Sequence, residues 1–190
     1  NLRELKVKGI TNITPSYNKL IISFDPSVTN YKNIKNKITD LKLNKKENQN
    51  NKLIKIPICI DKEFSLDIKR LSEKFKIENE RIYNLFLNKE YFCYMTGFIA
   101  GMPFLGDISE NIRLNRLETP RVKVPKGSIG ITEQFCNIYT YDSPGGWNII
   151  GNTPIKIFDK SNQKNPTLIN PGDRVMFYKI SKQEYKNYNE

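Results

Sequence analysis

Hydrophobic positions come first in short runs that alternate with polar ones. Lys6-Val7-Lys8-Gly9-Ile10 and Lys19-Leu20-Ile21-Ile22-Ser23-Phe24 read as two strands, with a turn at Thr14-Pro15-Ser16 and a stop at Asp25-Pro26. The period then lengthens. Tyr31, Ile34, Ile38 and Leu41 recur at helical spacing through a Lys-rich segment, as in an amphipathic helix. Residues 44–52 form a polar loop, and Leu53 to Ile60 reads as a strand in which Pro57 suggests an edge position. Two helices follow. Ser65 is the expected N-cap of the first, with Leu66, Ile68, Leu71 and Phe75 on its apolar side; the second runs from Glu78 to Asn88 and buries Ile82, Leu85 and Phe86.

After Tyr91 glycine, proline and short β-branched runs dominate. Strands are expected at Phe92–Phe98, Arg121–Val124, Ser128–Thr132, Asn137–Tyr141, Trp147–Ile150, Ile155–Phe158 and Arg174–Ile180. The expected fold class is therefore a small α+β domain over residues 1–93, followed by an all-β barrel or sandwich over 94–190. The ββα opening looks like the latter part of a ferredoxin-like unit whose first strand and helix are missing.

Composition removes several chemistries. The chain has no histidine, so a Ser-His-Asp triad, a His-ligated metal and an imidazole base are all excluded. Cys59, Cys93 and Cys136 form no CxxC pair, so a metal site or redox dithiol has no support and buried free thiols are expected. The net charge is +11, and residues 1–93 hold most of it, with 19 Lys and Arg against 11 Asp and Glu. That excess is nearly all Lys, without the Arg forks of base readout or the interleaved aromatics of single-strand binding; no nucleic-acid partner is expected. No apolar run is long enough for a membrane span, and the start lacks the apolar core of a signal peptide, so a cytoplasmic location is expected. With no initiator Met, further sequence is expected before Asn1.

Candidate function concentrates between Gly97 and Trp147, which reads as a binding cleft. Gly97 to Gly106 sets three glycines among Phe98, Met102 and Phe104; with Gly101 these either line a pocket or form a tight connection whose apolar side chains enter the core. Arg121 either grips a carboxylate or phosphate or makes a structural salt bridge. Ser143-Pro144-Gly145-Gly146-Trp147 either offers backbone N–H groups to an anion beside a flat aromatic wall or is a hairpin turn anchored by Trp147. Asn152 and Thr153 continue this loop system. Ser143 lacks a base to activate it as a nucleophile. No residue is assigned a catalytic role, and no Walker or dinucleotide fingerprint is present. Pro171-Gly172-Asp173 reads as a turn into the last strand.

Taken in order, Gly97-Phe98 with Gly101 and Leu105-Gly106, Thr119-Pro120-Arg121 with Val124-Pro125 and Gly127-Ser128, Ser143 to Trp147 with Gly151 and Thr153-Pro154, and Pro171 to Val175 closely resemble the allophanate hydrolase subunit 1 family, whose members are also called PxpB (the 5-oxoprolinase B subunit) or KipI. The resemblance implies a cyclophilin-like β-barrel over 94–190, related to part of the carboxyltransferase domain of urea carboxylase. It implies an ATP-dependent 5-oxoprolinase complex formed with a larger KipA/PxpC-type subunit and a LamB/YcsF-type subunit, with the ATP used by the assembly and no cofactor on this chain. Its alternatives are inhibition of a sensor histidine kinase through an exposed apolar patch near Met102 and Phe104, and a role in an allophanate hydrolase or urea carboxylase. The chain departs from the family pattern at Ala100, Met102, Phe104 and Asp107, at Asn152 where the family has Arg, and at Phe86 where a His is frequent.

Overall fold

The computed structural model describes residues 7–40 and 52–188; Lys6, Leu41 and residues 44–51 of the expected loop lie outside them. The chain divides into two compact units at Gln49/Asn50. In the first, β1 (Ile10–Ser16) and β2 (Lys19–Phe24) pair antiparallel, with Ile13 opposite Ile22 and Ser16 opposite Lys19. The turn is thus Tyr17-Asn18 rather than Thr14-Pro15-Ser16. Tyr17 takes the positive φ (51°) the reversal needs, and Pro15 is tolerated because a two-stranded ribbon leaves one side of each strand unpaired. Helix α1 (Tyr31–Thr39) is capped by Asn30, whose side chain accepts from Asn33 N–H at 3.0 Å, and Ile34 is its buried contact.

The second unit is a closed barrel of seven strands. Its members are β3 (Leu53–Cys59), β4 (Glu90–Thr96), β5 (Pro103–Gly106), β7 (Ser128–Thr132), β8 (Phe135–Ile138), β10 (Asn148–Asn152) and β11 (Arg174–Ile180). Around the barrel the order is β10-β3-β11-β4-β5-β8-β7, with β7 pairing back to β10. The remaining two strands, β6 (Arg121–Val124) and β9 (Ser143–Gly145), form a separate ribbon.

This corrects the expected fold class. No separate ferredoxin-like α+β domain over residues 1–93 precedes an all-β domain: β3 lies inside the barrel, parallel to β11, with Ile56 opposite Phe177. Helices α2 (Ile68–Phe75) and α3 (Asn79–Leu87) lie against the same barrel and share its core, where Phe86 stacks on Phe177 with ring centroids 5.0 Å apart. The physical reason is that β3 draws its partner from more than a hundred residues further along, a pairing that local periodicity does not report. Its C-terminal half is buried at every position, as a barrel strand covered by helices must be. Beside β10 the strand pairs only at Cys59–Asn152, which accommodates Pro57 without a ladder N–H.

Ser65 does not cap α2. Its hydroxyl donates to Ile60 O (2.7 Å), and Asp67 holds the N-cap position with its carboxylate turned elsewhere. Over 155–158 only a bridge from Phe158 to Thr167 forms. The turn at Asp173 is as expected: one carboxylate oxygen accepts from Asn170 N–H (2.8 Å), the other from Lys52 N–H (3.2 Å). No described helix is long and apolar enough to cross a membrane.

Candidate functional site

The expected site residues fall into three places. Gly97 to Met102 is the connection of the β4–β5 hairpin, closed by Gly97 N–H to Met102 O at 3.0 Å. Phe98, at φ +68°, stands 70% exposed, whereas the Phe158 ring packs against the Cα of Gly101. Met102 is only 2% exposed and joins Val124, Tyr139 and Ile149 in a small core, with half-buried Phe104 against them. Met102 therefore offers no docking patch. Asn152 and Thr153 lie apart from these, around the turn at Gly127. Asn152 Nδ2 donates to Lys126 O (3.0 Å), its Oδ1 accepts from Tyr185 (2.8 Å), and Thr153 N–H donates to Gly127 O (2.9 Å). Their polar groups serve the fold there.

The third place is the β6–β9 ribbon, where Arg121 pairs with Gly145 and Val124 with Ser143. Trp147 follows and meets Phe104 edge to face at 5.6 Å. Arg121 makes the salt bridge: its Nη2 donates to Asp67 Oδ1 at 2.6 Å, and Asp67 Oδ2 accepts from Ile149 N–H at 2.6 Å. Asp67 is nearly fully buried, so this carboxylate joins the start of α2, strand β10 and the ribbon in one dry junction. Beside it Arg70 donates to Asn148 Oδ1, while Asn148 Nδ2 donates to Ile131 O (3.0 Å) and Asn115 O (3.1 Å).

Beneath the ribbon lies Tyr139. A Cβ at Gly145 would collide with its phenol oxygen, so only glycine lets the ribbon close over it. Burial pushes the phenol pKa up; the Asn137 side chain, the charges of Arg116 and Arg121, and the Trp147 N–H oppose the shift. Gly130 repeats the device: a Cβ there would sit 2.9 Å from Asn137 Oδ1 and 3.0 Å from Trp147 Cβ. Although it lies close enough to influence Tyr139, Asn137 Nδ2 has no acceptor in hydrogen-bonding geometry among the described residues, nor does the Ser143 hydroxyl have a partner. Both are buried.

Arg116 differs from Arg121. It is exposed and lies over Gly146, where a Cβ would stand 3.5 Å from its Nε, and Leu117 N–H to Gly146 O (2.7 Å) ties its segment to the ribbon. Among the described residues it has no carboxylate at ion-pair distance. Asp67, Arg116, Asn137 and Tyr139 were not singled out from the sequence. A detectable signal was Asn at 137, 148 and 152 within barrel strands, where that residue is depleted unless it has polar work.

The arrangement can hold an anionic or carbonyl group against Arg116. Ser143 meets no base, and the thiols are suppressed by burial: Cys93 is pushed up to about 12, and Cys136 and Cys59 also upward. Among the described residues no group of three or more Cys, Asp or Glu comes together to hold a metal ion. A cavity of about 650 Å³ opens elsewhere, beside α3, and none of the expected site residues lines it.

The chain belongs to the family of the carboxyltransferase domain, subdomain C and D, which it matches over residues 1–169. Among curated relatives it is similar to the 5-oxoprolinase B subunit of Bacillus subtilis, at 37% identity over 74% of this chain and 58% of that protein. It is similar also to the 5-oxoprolinase B subunit of Haemophilus influenzae, at 36% identity over 90% of this chain and 76% of that protein. The chain thus spans little more than half of the Bacillus relative. In fold it resembles the Kluyveromyces lactis urea carboxylase, with a TM-score of 0.80 and 19% identity over 98% of this chain and 19% of that one.

Proposed function

We propose that this chain acts as the B subunit of an ATP-dependent 5-oxoprolinase, which opens 5-oxoproline to glutamate together with a larger KipA/PxpC-type subunit and a LamB/YcsF-type subunit. The observation that carries the reading is 36% identity to the Haemophilus influenzae 5-oxoprolinase chain across 90% of this one. Opening the lactam adds water across the amide, breaks its C–N bond and places a proton on nitrogen. Such a reaction needs an activated nucleophile, a proton donor and a stabilised oxyanion. At the ribbon this chain brings positive charge: Arg116 lies over Gly146 without a described carboxylate, while Arg121 is held by Asp67. We assign Arg116 to the substrate carboxylate, and ATP use and proton transfer to the partner subunits. Mixing the purified chain with both partners should yield glutamate from 5-oxoproline only when ATP is present. No glutamate from the complete mixture would overturn the proposal.

A further inference from the structure

Helix α3 carries a second, mostly polar stripe, in which Leu85 is half-buried and packs on the core. Ile82, Tyr83 and Phe86 face the barrel and are buried, whereas Arg81, Asn84, Leu85 and Asn88 follow one another at spacings of three, one and three and share the opposite side. Facing them is the segment from Ile108 to Arg113, which includes the 3-10 turn Glu110–Ile112. Between the two walls lies the cavity of about 650 Å³, within the size range of small-molecule sites.

Its charge is lopsided. Arg81, Lys89 and Arg113 line it against one carboxylate, Glu110, and that carboxylate is engaged by Arg113 Nη1 at 3.5 Å. Arg113 is also directed to Ile108 O through Nε and Nη2, both at 3.3 Å. Arg81 and Lys89 have no ion-pair partner among the described residues. A second hollow of about 440 Å³ shares Arg81, Leu85, Glu110 and Asn111 with the first and adds Phe75 and Ile77. The two hollows thus adjoin along Arg81, Leu85, Glu110 and Asn111, with Lys89 and Arg113 lining only the first and Phe75 and Ile77 only the second.

We propose that these adjoining hollows bind a small organic acid, with its carboxylate or phosphate on Arg81 and Lys89 and its apolar body over Leu85, Phe75 and Ile77. The site is separate from the β6–β9 ribbon and stands whether or not the 5-oxoprolinase reading does. The fork of Arg81 suits a two-oxygen acid group, and a neutral molecule of the same shape forgoes that attraction. Titration calorimetry of the whole chain in low salt, with octanoate and phenyl phosphate as probes and octanamide and inorganic phosphate as controls, tests this. The expected result is one saturable site for at least one of the two acids. Affinity should fall about tenfold or more in each of Arg81→Gln and Lys89→Gln, with weaker binding of both controls. Both substitutions are on exposed side chains, and a far-ultraviolet circular dichroism spectrum confirms that each variant is folded. No saturable binding of either acid below about 10 mM would overturn the proposal, as would octanamide binding as tightly as octanoate or affinities that both substitutions leave unchanged.

Discussion

Removing the Asp67 carboxylate should loosen the barrel where α2, β10 and the ribbon meet. Its two oxygens accept from Arg121 Nη2 and Ile149 N–H, each at 2.6 Å, and the side chain is nearly dry. Hydrogen bonds to a charged group contribute about 1.5–3 kcal/mol each, so Asp67→Ala should cost about 3–6 kcal/mol. At about 2–4 °C per kcal/mol for a chain of this length, its melting temperature should fall by roughly 6–24 °C. Arg121→Ala leaves Asp67 with the Ile149 N–H; because Arg121 is 26% exposed, the cost should be smaller, about 2–3 kcal/mol. The two residues share one interaction, so the double variant should lose less than the sum, with a coupling of about 1–3 kcal/mol. Thermal unfolding of the four proteins followed by circular dichroism measures the cycle. Single variants melting within about 2 °C of the parent, or a coupling below about 0.5 kcal/mol, would refute the reasoning.

Other consequences follow from the same packing. Gly145→Ala should destabilise by about 1–3 kcal/mol by driving a methyl group into the Tyr139 phenol, and part of that cost should vanish in a Tyr139→Phe background; urea midpoints of the three variants measure it. The folded protein should leave all three thiols unreactive toward a thiol-specific reagent at pH 8, and unfolding in urea should expose them, because Cys59, Cys93 and Cys136 are buried. Cys93 stays protonated up to about 12 when folded but ionises near 9.0 when unfolded. The unfolded chain then holds fewer protons, so its contribution is complete below pH 9 and is lost as pH rises toward 12. Urea midpoints should therefore fall from pH 9 upward, and less steeply in Cys93→Ala.

Several strands of the barrel and the ribbon were legible because they carry local marks. Arg121–Val124, Ser128–Thr132 and Arg174–Ile180 are β-branched runs bounded by Pro or Gly, and the structure keeps those limits. Hidden strands lack such marks: β5 and β9 are short and hold proline and glycine, so they read as loop. The membership of β3 depends on β11, a distant parallel partner, and periodicity carries no trace of it. At the ribbon, Arg121, Gly145, Gly146 and Trp147 stood out by type and spacing, and the structure brings them together. The groups that decide their roles did not. Asp67 read as helix, Tyr139 as an ordinary strand residue, and Arg116 lies in an unassigned stretch, although it is left without a described carboxylate. A glycine such as Gly145 or Gly130 shows in the sequence only that space is needed, and not that a tyrosine phenol or an asparagine amide fills it.

The most direct test is ATP-dependent turnover of 5-oxoproline by the proposed three-subunit assembly, with the parent chain and with Arg116→Ala. Arg116 is exposed and unpaired with any described carboxylate, so its removal should leave the melting temperature unchanged. Loss of one charge-assisted contact to the substrate carboxylate should lower kcat/KM by about tenfold or more. An assembly that turns over 5-oxoproline equally well with Arg116→Ala, or without this chain at all, would contradict the account.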